Sequence, residues 1–400
     1  MFGAGFGLVI LATLAAWCFS LLFKWIKAPA ILGMICGGVV VGSLVVPLFP
    51  DAAAPAFGQV ASPLRLGVLA VILLRAGLGM SLREVKAAGP LALSLGVLPM
   101  LGDAALVTVG GVFFLNLPFA SALVLGFLVA AISPAIVIPE MTRVLETAPA
   151  GQRKVAGALL AGAPLDNIAA LVFLGVAMDL ALAGGGSTGQ TLLMAPLLAG
   201  GGLLAGLGAG LFFLAVAAGV RLKPVVATAV VWLTACGTIA LCVTLDLSLV
   251  LAVLCLGLTI RHKKPVLAAR LTPGLTQMWT VGAVVLFGLI GASLDTASLP
   301  TVGLLAVGVI LLGQLGRTAV CWGVGKTAGL ERKQLLACIA AYMPKATIQA
   351  AFASLPLQRG IAHGQTMLSV AVLAVVILAP LGLFAIHRVF PVDPSVKTVA

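Results

Sequence analysis

Thirteen stretches of this chain are apolar for about the length a helix needs to cross hydrocarbon, and that feature decides its fold class. A helix rises 1.5 Å per residue, so about 20 apolar residues span a bilayer core. The stretches are 3–23, 29–49, 65–80, 89–115, 119–139, 154–181, 191–220, 224–243, 247–260, 279–297, 301–323, 335–357 and 365–389, the third and ninth being the shortest. Hydrophobic residues make up 62% of the 400 positions and charged residues 8%, too few polar groups to clothe a water-facing surface. The 48 glycines, spread through the apolar stretches, suit helices that approach closely in lipid. The expected fold is an all-α polytopic membrane protein with no soluble domain.

Charge supports the map. The formal net charge is +12, but the basic residues form no continuous patch and carry no interleaved aromatics, which excludes a nucleic-acid partner. With the N-terminus outside and the segments alternating, eighteen basic residues fall on the inner side, while only Arg65 and Arg359 fall in outer loops. That asymmetry is the positive-inside pattern, and one missed helix would destroy it. The first basic residues, Lys24 and Lys27, follow the first apolar run, so that run is a retained helix rather than a cleaved signal. The expectation is an integral protein of a bacterial inner membrane, N-terminus outside and C-terminus cytoplasmic. The seven cysteines lie in apolar stretches without metal-ligand spacing and form no disulfide framework.

Five charges remain inside apolar stretches: Arg75, Arg317, Lys345, Asp103 and Asp166. At roughly 2.5–3.5 kcal/mol each at mid-bilayer, they would together cost on the order of 12–17 kcal/mol if left alone. That is comparable with a whole folding margin of about 5–15 kcal/mol. They must pair, face water or lose charge. An inverted repeat, segments one to six against eight to thirteen with the seventh as joint, relates Asp103 to Arg317 and Pro134 to Pro344 at nearly equal separations. Asp103 and Arg317 are therefore an expected pair, either a fixed fastening or part of a gate. Arg75 lies near the inner end of its segment, where its stem can snorkel, and is left out of the site.

A second set centres on "GAPLDNIA" and "YMPKATIQ". Pro164 precedes Asp166 and Asn167, and Pro344 directly precedes Lys345, with Gln349 one turn later. A mid-helix proline removes one backbone hydrogen bond, so Pro134, Pro164 and Pro344 are all expected helix breaks. A carboxylate beside an amide oxygen offers the hard ligands that small cations prefer. An Asp166–Lys345 pair could then exchange a proton when a cation displaces the lysine. The third element, "AISPAIVIPEM", breaks the fifth segment at Ser133 and Pro134, and broken helices at mid-depth mark transporter sites. Glu140, followed by Thr142 and Arg143, is a candidate cytoplasmic gate or pH sensor. No nucleotide-binding loop, Ser/His pair or metal cluster appears in the sequence, and no cofactor or enzymatic chemistry is expected.

At these residues the sequence resembles the cation/proton antiporter superfamily, especially the NHA-type sodium/proton antiporters. The resemblance rests on "LLRAGLGM", "AISPAIVIPEM", "APLDNIAAL" and "YMPKATIQAA", and covers the chain from the third segment onward. It implies a homodimeric inverted-repeat fold of thirteen helices, with two broken helices crossing. A scaffold of about 1–85 and 221–298 would form the dimer contact. A core of about 86–182 and 299–390 would move past it like an elevator, joined by the helix 191–220. It implies that Asp103 pairs with Arg317 and that Asp166 is the first acid of a twin-aspartate motif, with Lys345 as its partner. The sequence departs from the family where the second aspartate stands: that residue is Asn167, which cannot titrate.

The function expected is exchange of a monovalent cation, Na⁺ or Li⁺ first and K⁺ after them, for protons. Asp166 would alternate between proton and cation, with Asn167 and Ser133 as neutral ligands, in roughly one-for-one exchange. Two alternatives stand beside it: a non-exchanging sensor or degenerate transporter, favoured by Asn167, and an organic-anion transporter on a similar fold.

Overall fold

A computed structural model describes residues 2–26, 30–45, 48, 53–79, 89–147, 150–183, 188–219, 223–294 and 299–390. Lys27 lies outside the described residues, as do Arg83, Lys86, Arg221 and Lys397 of the inner-side basic set and Asp295, which the sequence puts near a helix end. Among the described residues there is no strand. The helices in chain order are α1 Phe2–Trp25, α2 Ala30–Val40 with a π-helical turn Val41–Val45, α3 Ala53–Gly79, α4 Gly89–Phe114, α5 Phe119–Ala130 and α6 Pro134–Thr147. They continue with α7 Ala150–Ala183, α8 Thr188–Gly219, α9 Pro224–Thr244, α10 Leu249–Lys263 and α11 Pro265–Ala292. The last are α12 Leu299–Thr327, α13 Arg332–Ala341, α14 Thr347–Phe352, α15 Leu355–Gln358 and α16 Gly364–Val389.

Every apolar stretch picked from the sequence falls on one or more of these helices. Nine of the described helices, α1, α3, α4, α7, α8, α9, α11, α12 and α16, are long and apolar enough to cross a membrane. The boundaries differ where polar or helix-breaking residues hide a helical start. α3 begins at Ala53, twelve residues early, because its first turns carry Pro55, Gln59 and Pro63 and do not stand out as apolar. α11 likewise begins at Pro265 and carries Arg270.

The chain forms two compact units. The first comprises Met1–Ser81, Leu171–Leu299 and Ser354–Gln365. Within it α3 and α10 meet at Gly77 and Gly257, where an added Cβ on Gly257 would lie 2.9 Å from Gly77 Cα; only glycine permits that approach. Arg65, assigned above to an outer loop, is instead a buried residue of α3, 8% exposed. Its guanidinium donates to Leu289 O at 2.7 Å and to Ser293 Oγ, at the C-terminal turn of α11. The last carbonyls of a helix lack intrahelical donors, and its dipole favours a cation there. Arg65 is therefore a helix cap.

The second unit comprises Leu82–Ala170, Pro300–Ala353 and Thr366–Ala400. A core of Leu95, Ile132, Met141, Leu159, Ala163, Leu335, Cys338 and Tyr342 brings α4, α6, α7 and α13 together. α4 and α12 meet at Gly102 and Gly316, where a Cβ on Gly102 would lie 2.9 Å from Gly316 O. Asp103 follows Gly102 and Arg317 follows Gly316, so the glycine contact fixes how near these two charges come. The unit also contains two interrupted helices. Residues 131–133 are non-helical between α5 and α6, with Ala131 extended at φ −59° and ψ 140°. Residues 343–346 are non-helical between α13 and α14.

Candidate functional site

Irregular backbone at membrane depth survives only where every freed polar group finds a partner inside the protein. The two interruptions partner each other: Ser133 N donates to Pro344 O at 2.9 Å. Ser133 Oγ lies 3.1 Å from Thr347 Oγ1, and Ser133 O accepts from the amides of Ile136 and Val137 to start α6. Pro134 sits at the first turn of α6, where its missing N–H costs nothing. The breaks expected at Pro134 and Pro344 are thus present and in contact.

The break expected at Pro164 is absent. α7 runs without interruption from Ala150 to Ala183. One proline removes a single backbone bond, and packing along a helix of this length outweighs that loss. The turns around Asp166 are therefore helical. α6 likewise continues through Pro139.

The carbonyls at the end of α5 are capped by side chains from far along the chain. Gln349 Nε2 donates to Val129 O at 2.9 Å and to Ala131 O at 2.5 Å. Arg317 and Lys345 both donate to Ala130 O. Two cations thus sit at the negative end of the α5 dipole.

Those cations also hold Asp103 and Asp166. Arg317 Nε lies 2.8 Å from Asp103 Oδ2, and its NH1 lies 2.9 Å from Asp166 Oδ1. Lys345 Nζ lies 2.5 Å from Asp103 Oδ2. Asp166 Oδ2 accepts from Ile132 N at 2.9 Å, inside the first interruption. All four side chains are buried, none more than 1% exposed. Arg317 also lies 5.6 Å from the ring centroid of Tyr342, a cation–π contact.

This geometry keeps one expected pair and revises the other. Asp103 and Arg317 bond as expected. Asp166 takes Arg317 rather than Lys345, and Lys345 takes Asp103. The guanidinium fork carries five donors and spans two carboxylates at once. The ammonium then fills the remaining acceptor space on Asp103 and on the α5 carbonyl. The result is a neutral quartet of two carboxylates, one guanidinium and one ammonium.

Asn167 is 9% exposed, and its Oδ1 has no hydrogen-bond partner among the described residues. An unsatisfied buried oxygen costs about 1–3 kcal/mol unless something binds it. The Tyr342 hydroxyl and Gln349 Oε1 are buried and unpartnered in the same sense. Tyr342 and Thr347 escaped the sequence reading, although both lie in "YMPKATIQ", and Gln349 appeared there without its capping role. Glu140 is apart from the quartet. It pairs with Arg143 at 2.8 Å and with His387 of α16 at 3.1 Å, where the imidazole is 46% exposed.

Residues 9–389 match the family described as sodium/hydrogen exchanger, transmembrane. The chain is 27% identical over 365 residues to the sodium/hydrogen exchanger 9B1 of Macaca fascicularis, covering 88% of this chain and 71% of that protein. It is 28% identical over 389 residues to the sodium/hydrogen exchanger 9B2 of Mus musculus, covering 91% of this chain and 68% of that protein. Among solved structures it resembles the sodium proton antiporter MjNhaP1 from Methanocaldococcus jannaschii, with a TM-score of 0.71 at 19% identity over 96% of each chain. That likeness shows a shared fold. With the family match extending over nearly its whole length, this integral membrane protein belongs to the sodium/hydrogen exchanger family.

Proposed function

We propose that the protein exchanges a monovalent cation, Na⁺ or Li⁺, for protons, and that the neutral quartet is the machinery. The supporting observation is the charge count at full burial: Asp103, Asp166, Arg317 and Lys345 sum to zero. A cation that enters adds one positive charge in a place where uncompensated charge is costly. Something positive must leave. Arginine keeps its proton, whereas a buried lysine can release one. Lys345 is thus the group that gives up the exchanged proton, and Asp166 keeps its charge to receive the cation. This moves the proton from Asp166, where the sequence placed it, to the lysine. The orphan Asn167 Oδ1 and the Ser133 hydroxyl complete a set of hard oxygen ligands. One proton for one cation leaves the site neutral in both states.

The whole quartet and both interruptions lie within the second unit. That supports an elevator-type cycle in which a core of about 86–182 and 299–390 carries the site as one body. In this reading 1–85 and 221–298 form a scaffold and homodimer contact, 191–220 links the two, and the two halves are inverted repeats. The loop charges support an N-out, C-in orientation in a plasma membrane. Glu140 is the proposed cytoplasmic gate.

The test uses proteoliposomes loaded with a pH dye. Addition of Na⁺ or Li⁺ to the wild-type protein should change the dye signal, and Asp166→Asn should abolish that change. An equal response in the variant would sink the proposal. The amide at Asn167 favours a second reading, a protein that binds cations without exchanging them. If activity appears only in Asn167→Asp, the second reading is correct.

A further inference from the structure

The first unit holds a polar cluster that the exchange site does not use. Asp179 in the last turns of α7 and Ser248 just before α10 are 4% and 2% exposed. Together with Arg359, which follows α15, they line a small cavity of about 10 Å³. Its remaining walls are mainly apolar, from Gly175, Met178, Leu182 and residues 247–250. Asp179 Oδ2, Ser248 Oγ and Arg359 NH1 are buried atoms that miss direct hydrogen-bonding geometry, although Asp179 lies near enough to interact with both Ser248 and Arg359. A polar atom left short of a full hydrogen bond at a buried position costs about 1–3 kcal/mol. A void of about 10–15 Å³ accommodates a single water, provided two to four polar groups face it.

The donor set decides the occupant. Arg359 NH1 supplies a donor and Asp179 Oδ2 an acceptor, while the Ser248 hydroxyl can act as either. A metal cation would satisfy the carboxylate but leave the arginine donor facing a positive charge. An inorganic anion would satisfy the arginine but face the carboxylate. A water oxygen accepts from Arg359 while its protons go to Asp179 and Ser248, and the site stays neutral.

We infer that this cavity is a built site for one water molecule, which bridges Asp179 and Arg359 and ties residues 354–365 to the ends of α7 and α10. Such a bridge keeps two charges compensated at a helix end while leaving the junction easier to part than a direct ion pair. It does not depend on the exchange proposal, because no member of the quartet takes part.

A density map of the full-length protein in nanodiscs, at a resolution that shows ordered water, tests the occupant. One peak within hydrogen-bonding distance of all three atoms is expected. An empty cavity overturns the inference, and so does a peak whose occupancy follows Na⁺ or chloride concentration. Thermal stability tests the bridge. Asp179→Leu and Arg359→Met should each lower the melting temperature by leaving the other charge without its counterpart, the larger loss coming from Arg359→Met because Asp179 is the buried partner. The double variant should melt no lower than the worse single variant. Additive losses in the double variant would show that nothing couples the two residues, and would overturn the bridge even with water present.

Discussion

Arg317→Met removes the side chain that bonds both Asp103 and Asp166. It takes away the 2.8 Å bond to Asp103, the 2.9 Å bond to Asp166 and a cap on Ala130 O. The loss falls unequally. Asp103 keeps Lys345 at 2.5 Å, and Ala130 O keeps the same ammonium. Among the described residues Asp166 keeps the Ile132 amide as its one hydrogen-bond donor, and at 0% exposure it cannot reach bulk water. Breaking a buried pair by removing one partner costs about 3–5 kcal/mol, because a bare charge stays behind. Against a margin of about 5–15 kcal/mol, the variant should lose much of its folded yield. The double variant Arg317→Met/Asp166→Leu leaves Asp103 and Lys345 as a neutral pair and should recover most of that loss. The assay is the melting temperature of detergent-solubilised protein, read by retention of the monodisperse peak after heating. If Arg317→Met melts with the wild type, or if the double variant melts below the single, the quartet is not the electrostatic unit described here.

Three further outcomes follow from the same geometry. Gln349→Leu strips the amide donors from Val129 O and Ala131 O and should cost about 1–3 kcal/mol per orphaned carbonyl, read as a lower melting temperature. Gly102→Ala forces α4 away from α12, where its Cβ would meet Val320 Cγ2 at 2.6 Å. It should cost about 1–3 kcal/mol by overpacking, and it should slow exchange by moving Asp103 from Arg317, measured in the pH-dye assay. The Glu140–His387 pair is partly exposed, so a double-mutant cycle on stability should return less than about 1 kcal/mol, while Glu140→Gln should change exchange rate if the residue gates the cytoplasmic mouth.

Much of this arrangement was legible in the residues, and its gaps have physical causes. Hydrocarbon thickness sets helix length, so apolar run length found the nine described helices that are long and apolar enough to cross a membrane. The start of α3 escaped because prolines and a glutamine in its first turns mask a helix that packing sustains, and Arg65 was mistaken for a loop residue as a result. The breaks at Pro134 and Pro344 were readable because each lies beside polar residues that re-satisfy the backbone. Pro164 shows the limit of that signal: with a long helix on either side, the lost bond does not end α7. Sequence symmetry gave Asp103 with Arg317. It could not tell which acid Lys345 would take, because that depends on how far a guanidinium reaches in three dimensions. The capping role of Gln349 was likewise out of view, since Val129 and Ala131 are distant in the chain.

Proton counting on the solubilised protein asks whether Lys345 carries the exchanged proton. In weakly buffered detergent solution, saturating Na⁺ or Li⁺ should release about one proton per chain from the wild type. Lys345→Arg, which holds its charge fixed, should release none. Cation binding without proton release in the wild type, or release undiminished in Lys345→Arg, would contradict the account.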